Sequence, residues 1–411
     1  MIGVPGSACR CRRRADTAGR ESGLKALRFD KLGAIIAALA LGGAFIAPFA
    51  TFRANRIVAG EAKTIIEALP LNWSTGLLLV VLAAAAVAAF RSPVPLRLVA
   101  FAALAGLAFA IGVAAGFLTP AGNSYARISP ASGFWVMLFA FGLLAADALT
   151  RLRPAPFVRI AVLVAVLAFV GILLLSGSWD GLSLLKEYAS RVDTFWAEAR
   201  KHVTLALGSL VAATIVGIPL GILCHRVTQL RDGLLGVLNA IQTIPSIALF
   251  GILIAPLGWI AANIPGAATI GIRGIGVAPA FVALFLYSLL PVVANTVVGL
   301  AGVPRDANDA ARGIGMTDWQ RLVGIEFPLA FPVILTGIRI VLVQNIGLAT
   351  IAALIGGGGF GVFVFQGVGQ TAMDLVLLGA VPTVVLAFAA AIVLDAVIEM
   401  AKPNNRQAEA R

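Results

Sequence analysis

The sequence has few of the residues that soluble enzymes use for chemistry. Only 12% of its 411 residues are charged, and it contains two histidines and three cysteines. Hydrophobic residues make up 60% of the chain, and the mean hydropathy is +0.98. A composition this apolar and this poor in charge excludes an ordinary soluble domain. The composition therefore predicts an all-helical polytopic membrane protein.

Nucleotide and metal chemistry also lack their usual residues. None of the six lysines follows a glycine, so the chain has no glycine-rich P-loop for ATP. Cys9, Cys11 and Cys224 share no metal-ligand spacing with His202 or His225. We therefore expect no catalytic residue, no metal site and no cofactor in this chain.

Ten apolar runs approach or exceed the length that a helix needs to cross a bilayer, which is about twenty residues. The second run is short and the ninth is long, so one of them could be re-entrant. The predicted spans are Leu32–Phe52, Thr75–Phe90, Leu98–Leu118, Gly133–Leu149, Ile160–Leu175, Val203–Leu223, Leu234–Ile254, Val277–Leu300, Leu329–Ile355 and Leu375–Val397.

Lysine and arginine predict the orientation, because cytoplasmic loops retain positive charge. With the N-terminus inside, 21 of the 31 basic residues fall in inside segments and nine in outside segments, while Arg339 lies within a span. Both termini are then cytoplasmic in a bacterial inner membrane. The net charge of +12 reflects this bias. No basic face interleaves with aromatics on a soluble domain, so we expect no nucleic-acid partner.

The external segment 176–202 divides the chain. Leu182, Leu185 and Trp196 recur at helical spacing opposite Lys186 and Asp193, which predicts an amphipathic helix on the membrane surface, or alternatively a docking surface for a protein. The predicted domains are a basic tail 1–31, a five-helix extension 32–175, this segment, a core domain 203–398 and a tail 399–411.

A polar stretch interrupts the apolar core between Asp309 and Pro328. Pro304 can occupy the first position of a helix there. Gly313 and Gly315 are expected to end that helix. Thr317 and Gln320 form a Thr-x-x-Gln capping box, which starts a second short helix that should stop before Pro328. The pattern predicts two short helices around a glycine corner.

This stretch resembles the loop of permease subunits of bacterial ABC importers, whose pattern is Glu-Ala-Ala, three residues, Gly, nine residues, Ile, one residue, Leu-Pro. Asp309 replaces the glutamate and Phe327 the leucine, and both changes keep charge or apolar character. The resemblance implies that the loop 303–328 is a coupling helix seated in a groove of a separate ATPase subunit, which binds ATP and Mg. The residues that carry it are Asp309, Ala310, Ala311, Gly315, Ile325 and Pro328.

From His202 to about Val397 the chain is similar to the osmoprotectant subfamily of these permeases, which carries glycine betaine, proline betaine, choline or carnitine. The blocks QTIPS, after Ile241, and ALIGGGGFG, ending at Gly361, are the more discriminating ones. The resemblance implies an extracytoplasmic substrate-binding protein and a second permease copy or paralogue as partners, besides membrane lipid. The last five spans would form the permease core.

Polar side chains at depth in the later spans predict a solute pathway, because polar groups persist in a bilayer where they face a cavity or another helix. Interhelical hydrogen bonding is the alternative for each of them. The first five predicted spans contain no equivalent cluster. The candidates are Gln242, Pro245, Ser246, Tyr287, Asn295, Gln344, Asn345 and Thr350.

Four consecutive glycines, from Gly356 to Gly359, predict an external turn where backbones approach closely. We interpret Gly356, Gly357, Gly358 and Gly359 as a candidate outer gate. Arg339, near the start of the ninth span, is expected to reach the headgroups or an acidic partner.

Two other classes of function remain open from the sequence. An ion-coupled secondary transporter needs embedded acids or histidines, and the core spans offer mainly Asp395 and Asp374. An ABC permease for another small solute, such as an amino acid, fits the same loop. A membrane scaffold would leave the Asp309 loop without a role.

The charge bias generates a topological prediction. An impermeant maleimide should label a cysteine placed at Ser183 from outside the cell, and a cysteine at Thr317 only after the membrane is permeabilised. External labelling at Thr317 would reverse the orientation.

Overall fold

The computed structural model describes residues 30–402 except 57, 121 and 124. Residues 1–29 and 403–411, which contain most of the two predicted tails, lie outside the described residues. The contacts divide the chain into two compact units, Met1–Arg153 and Pro154–Arg411, and each is taken by itself.

The first unit combines helices with a small antiparallel sheet. The strand order is β2-β1-β3, with Phe52 opposite both Glu61 and Ile128. The sheet adds a feature that the helical pattern did not predict. The elements are α1 Lys31–Phe45, β1 Ala50–Arg53, β2 Glu61–Lys63, α2 Ile65–Ala68, α3 Leu71–Ala89, α4 Val94–Arg97, α5 Val99–Leu118, β3 Arg127–Pro130 and α6 Ser132–Leu152.

A charged cluster that was not predicted from the sequence joins the helix ends of this unit. The guanidinium of Arg97, which is 1% exposed, donates to Asp30 at 2.8 Å and also contacts Asp147. Arg151 pairs with Asp147 at 2.9 Å and with Asp30 at 3.2 Å. The hydrogen bond from Arg97 lowers the pKa of Asp30, which also caps α1 through the Gly33 amide. Two carboxylates therefore compensate a buried arginine.

The second unit contains the remaining helices. Its elements are α7 Pro156–Leu175, α8 Ser183–Ala189, α9 Val192–Arg226, α10 Thr228–Thr243, α11 Ser246–Asn263, α12 Val277–Ala301, α13 Arg305–Gly313, α14 Asp318–Arg321, a π-helical turn Leu322–Glu326, α15 Phe327–Ile351, a 3-10 turn Ala352–Ile355, α16 Gly361–Gly369 and α17 Met373–Ala401.

Nine helical segments of the described residues are long and apolar enough to cross a membrane, and α1 is a shorter apolar helix. The prediction of an all-helical polytopic protein with about ten spans is therefore confirmed. The first predicted span is shorter than expected, because the chain leaves α1 after Phe45 and enters β1 at Ala50.

Three predicted boundaries are wrong for local reasons. Residues 192–202 continue into the span as part of α9, since they contain no glycine or proline to stop a helix. The predicted span Leu234–Ile254 is two helices, α10 and α11, because Ile244 is extended before Pro245. The second loop helix does not stop before Pro328. It passes through the wider π-turn into α15, which accommodates the proline near its start.

Close packing of α9 and α15 on α12 forms the centre of this unit. A Cβ on Gly221 of α9 would lie 2.5 Å from Thr296 Cβ, and a Cβ on Gly337 of α15 would lie 2.8 Å from Asn295 Cβ. Glycine at these points lets the backbones approach, as membrane helices require when no hydrophobic effect holds them together.

The structure changes the sites of the topological test. Ser183 is buried at 1% exposure and donates to Asp374 at 2.6 Å, so it is a poor labelling position. Ser178 in the same segment and Ala310 on α13 are exposed. With Cys9 and Cys11 replaced by serine, we expect external maleimide to label Ser178→Cys and to leave Ala310→Cys unlabelled in intact cells. The reverse pattern would contradict the charge-based orientation.

Candidate functional site

The loop between α12 and α15 folds around a glycine corner, as its sequence predicts. Pro304 is the N-cap of α13 and Arg305 is the first helical residue, one position later than expected. Gly315 has φ +83°, a backbone conformation that residues with a side chain rarely adopt. Thr317 Oγ1 accepts a hydrogen bond from the backbone N–H of Gln320 at 3.3 Å, and Gln320 Oε1 accepts one from the backbone N–H of Thr317 at 2.9 Å. The predicted capping box is confirmed.

Apolar side chains project from this loop. Ile314 is 81% exposed, Trp319 71% and Val323 53%. Together with Gly315 and Gly324 they line an open groove of about 600 Å³. Contiguous exposed apolar side chains with a polar rim are typical of protein interaction sites. The loop therefore presents an apolar groove next to helices that carry charged side chains.

The six residues of the loop motif occupy different environments. Gly315 lines the groove, whereas Asp309 is exposed and pairs with Arg312 at 3.7 Å. Ala311 is buried and anchors α13, Ala310 and Pro328 are exposed, and Ile325 is half-buried in the π-turn. The motif therefore marks the corner and the anchor of the loop. It does not mark the apolar groove residues, whose sequence signal is the i, i+4 pair Trp319 and Val323 within a polar stretch.

Sequence reasoning missed Glu326, the central charged group of the loop. Its carboxylate accepts from Arg226 at 2.8 Å and from Arg321 at 3.2 Å, and its side chain is 4% exposed. Arg321 also bonds Asp318 at 2.7 Å. A buried ion pair that loses one partner is destabilised by about 3–5 kcal/mol, because the other charge is left uncompensated. The only sequence signal was a glutamate between Ile325 and Phe327.

The four glycines form a turn that α9 holds from the side. Gly358 and Gly359 have φ +77° and +86°. The Gly359 amide donates to Glu198 Oε2 at 2.6 Å, and the Phe360 amide to His202 Nδ1 at 3.4 Å. A Cβ on Gly358 would lie 2.6 Å from Glu198 Oε2, so glycine is needed both for its φ and for this approach. The turn begins with Gly356, which has φ +77°, and Gly357, which is buried against Ala352.

The break between α10 and α11 gathers four of the candidate pathway residues. Gln242 Nε2 donates to the Tyr287 carbonyl at 2.8 Å, and the Tyr287 hydroxyl donates to the Ile244 carbonyl. Pro245 separates the helices, and Ser246 is the first residue of α11. Tyr287 is 4% exposed. The Tyr287 hydroxyl thus satisfies a carbonyl at the break, and Gln242 satisfies the Tyr287 carbonyl inside α12, whose usual helical donor is absent because the residue four positions on is Pro291.

Asn345 lies in closed interhelical packing. It is fully buried, and Nδ2 donates to Ser209 Oγ of α9 and to Ser288 Oγ of α12, both at 2.9 Å.

The remaining candidates lie elsewhere. Asn295 donates to the Pro291 carbonyl of its own helix at 2.8 Å. Gln344 and Thr350 are half-buried on α15. The eight candidates therefore lie in three places: at the helix break, in the packed core and at the surface of α15. The described residues do not bring all eight together in one site.

Aromatic side chains gather in the segment 176–202. Phe195 packs edge-on against Tyr188 at 5.1 Å and Trp196 at 5.6 Å, and Trp196 Nε1 donates to the Tyr188 hydroxyl at 3.2 Å. They line an apolar groove of about 770 Å³ with residues of α7 and α17. Helical spacing along α8 and α9 brings them together. Among the described residues no group of three or more His, Cys, Asp or Glu side chains could hold a metal.

The comparisons with known proteins identify this apolar helical bundle as a transport permease and give its family. Residues 217–407 match the binding-protein-dependent transport system inner membrane component family, and residues 30–185 match the N-terminal domain of the ABC transporter permease YehY. The chain belongs to the first of these families, the permease components of ABC importers.

Three relatives show how far the similarity reaches. The osmoprotectant import permease protein OsmW of Salmonella typhimurium is 44% identical over 47% of this chain and 84% of its own length. The carnitine transport permease protein OpuCB of Listeria monocytogenes is 37% identical over 46% and 78%. The choline transport system permease protein OpuBB of Bacillus subtilis is 37% identical over 49% and 84%. A solved structure of the MetNI methionine ABC transporter is 19% identical over 52% of this chain and 96% of its own, with a TM-score of 0.45.

The glycine corner generates a coupling prediction. Gly315→Pro should abolish coupled transport, because proline cannot adopt a φ of +83°, and Gly315→Ala should impair it less. Strain of this kind amounts to about 1–3 kcal/mol and is confined to a loop outside the bilayer. We expect Gly236→Ala, on α10 with nothing within 4 Å of its added Cβ, to behave as wild type.

Transport per ATP hydrolysed in proteoliposomes checks this prediction, with detergent-purified yield as the folding control. Asp309→Lys should similarly uncouple transport from ATP hydrolysis, because it reverses a charge on α13. Its purified yield should stay normal, because the Asp309 side chain is 70% exposed. Full coupled transport by Gly315→Pro would contradict a docking role for this loop.

Proposed function

We propose that this chain is the permease subunit of an ATP-driven importer that carries a quaternary ammonium osmoprotectant such as glycine betaine. In this proposal a separate ATPase subunit binds ATP and Mg, an extracytoplasmic protein delivers the solute, and two permease copies or paralogues enclose the path. Both termini face the cytoplasm of a bacterium with the chain in its inner membrane. The chain itself performs no catalysis.

The observation that carries the proposal is the exposed apolar groove of the 303–328 loop. Ile314, Trp319 and Val323 present apolar area that no other part of the described chain covers. The capping box and the left-handed Gly315 hold the groove in one shape. A partner with complementary apolar side chains would bury it, and membership of the ABC importer permeases supports an ATPase subunit as that partner.

The substrate class is inferred from the relatives and from the charge of the core. The similar permeases are named for osmoprotectants, carnitine and choline. The candidate pathway residues are uncharged: four amides, two aliphatic hydroxyls, one tyrosine and Pro245, the only one without a polar side chain. A zwitterion with no net charge needs no fixed counter-ion along its route, so an uncharged passage suits glycine betaine better than a free cation.

The acids that an ion-coupled transporter would need are engaged. Asp395 on α17 contacts the guanidinium of Arg339 on α15, which gives this arginine the acidic partner that the sequence suggested. Asp374 accepts from Ser183. A coupling ion would have to displace these contacts to reach either carboxylate. These contacts favour transport driven by a partner ATPase.

The exposed face of α11 is where the proposal places a second permease copy. Ile247, Ile252 and Trp259 of this helix are 61%, 59% and 63% exposed, and few of its residues are buried. A spanning helix this exposed contacts either lipid or another protein. Because α11 follows the break at Pro245, a copy packed there would place the Gln242–Tyr287 contacts beside the joint between the two permeases.

Uptake into proteoliposomes tests the proposed function. The permease is reconstituted with its ATPase and binding protein, and radiolabelled glycine betaine is supplied outside. We expect uptake only with internal ATP and both partners, and competition by choline or carnitine identifies the preferred quaternary ammonium compound.

Three controls separate the alternatives. A hydrolysis-deficient ATPase should give no uptake, since the chain has no P-loop of its own. Labelled methionine should not be taken up, because it lacks the quaternary ammonium group. Equal uptake without ATP, driven by a sodium or proton gradient, would reject the importer in favour of a secondary transporter.

A further inference from the structure

Two antiparallel helices, α9 and α15, connect the coupling loop with the glycine turn. α15 leaves the loop through the π-turn and leads through the 3-10 turn directly to Gly356. α9 runs in the opposite sense, with Glu198 beside the glycine turn and Arg226 beside the loop. At 1.5 Å per residue, the 28 residues between Glu198 and Arg226 extend about 42 Å.

Polar contacts at three levels join α9 to α15 and to the turns that flank α15 at its two ends. At the loop end, Arg226 of α9 binds Glu326 at 2.8 Å. In the middle, Asn345 of α15 donates to Ser209 of α9 at 2.9 Å. At the other end, the Gly359 amide donates to Glu198 of α9 at 2.6 Å. The Asn345 and Gly359 contacts are buried, and at the loop end Glu326 is 4% exposed while Arg226 is 34% exposed. An unmade hydrogen bond at a buried site costs about 1–3 kcal/mol, so these contacts oppose sliding of one helix along the other.

α15 alone would transmit a displacement of the loop poorly. The π-turn Leu322–Glu326 and Pro332 inside the helix are two points at which a helix bends. The Arg226–Glu326 contact lies on the loop side of Pro332, so α9 provides a route around that bend. α9 has its own internal proline, Pro219, but Gly217 and Gly221 on either side of it pack directly on α12.

We propose that α9 and α15, joined at these three levels, transmit displacement of the coupling loop to the glycine turn as one body. Arg226, Glu326, Ser209, Asn345 and Glu198 are positioning residues in this proposal. It rests on the proposed function, because it assumes that the loop is displaced by an ATPase. It also assigns Asn345 to transmission instead of to the wall of the solute path.

The experiment measures the glycine turn while the loop is driven. Leu354, in the 3-10 turn just before the glycines, is 48% exposed and is replaced by cysteine. Cys9 and Cys11 are replaced by serine, and Cys224 is fully buried. The maleimide labelling rate of Leu354→Cys is measured in the reconstituted importer without nucleotide and with a non-hydrolysable ATP analogue. We expect the two rates to differ in the otherwise wild-type complex.

The deciding variant is Arg226→Gln, which removes the loop-end contact while Arg321 still pairs with Glu326 at 3.2 Å. Coupling between distant sites is typically worth a factor of about 5 to 150, so the nucleotide-dependent difference in labelling rate should fall at least about fivefold. The matched control is Arg159→Gln. It removes a 2.8 Å ion pair with Glu399 between α7 and α17, and should leave the difference intact.

A second readout separates transmission from mere stability. Arg226→Gln should raise the ATP hydrolysed per solute transported while KM for glycine betaine stays unchanged. If this variant does not assemble, Ser209→Ala replaces it, since it removes the 2.9 Å contact with Asn345 without leaving a charge, and only the 3.5 Å contact of Asn345 with the Ala206 carbonyl then joins the helices at this level. The double variant Arg226→Gln/Glu198→Gln should be no worse than the more severe single variant, because contacts in series are not additive.

The outcomes are distinguishable. An unchanged labelling difference in Arg226→Gln, or in Ser209→Ala where that variant is the one measured, would overturn the joined-helix proposal and leave the importer intact. The absence of any nucleotide-dependent difference in the parent complex, together with absence of ATP-driven uptake, would overturn the proposed function and this inference with it.

Discussion

Buried charges and polar groups must be compensated inside an apolar chain, and this constraint determines how the helices are joined. Glu326 would be prohibitively costly at 4% exposure without Arg226 and Arg321. Arg97 has the same requirement in the first unit and meets it with Asp30 and Asp147. In both cases the partners come from different helices. Compensation of charge thus fixes which helix ends lie together, and small residues then allow the intervening surfaces to close.

The sequence predicted features that depend on neighbouring residues. Hydropathy located the spans because the bilayer imposes a length, and Thr317 with Gln320 predicted a cap because both partners lie within one turn. The family motif marked the 303–328 loop. The failures involve competition between local signals. Pro245 divided a continuous apolar run, whereas Pro328 did not end a helix, because the π-turn before it widened the backbone.

Contacts between residues far apart in sequence were the least predictable. Asn345 looked like a pathway residue because it is polar and lies deep in an apolar helix, yet Ser209 and Ser288 satisfy it. Nothing in the sequence pairs these positions. The same is true of Arg226 and Glu326, which are one hundred residues apart. Depth in the membrane shows that a polar group needs a partner, but only the packing shows whether the partner is a solute or another helix.

The coupling loop is held in shape by its own backbone, through a left-handed glycine and a reciprocal cap. A surface that is already ordered loses little conformational entropy when a partner binds it. Most of the free energy of burying Ile314, Trp319 and Val323 is then available for association. A groove that is already ordered can also transmit a partner's movement without rearranging first. We therefore expect the response of α15 to be as fast as the movement of the partner itself.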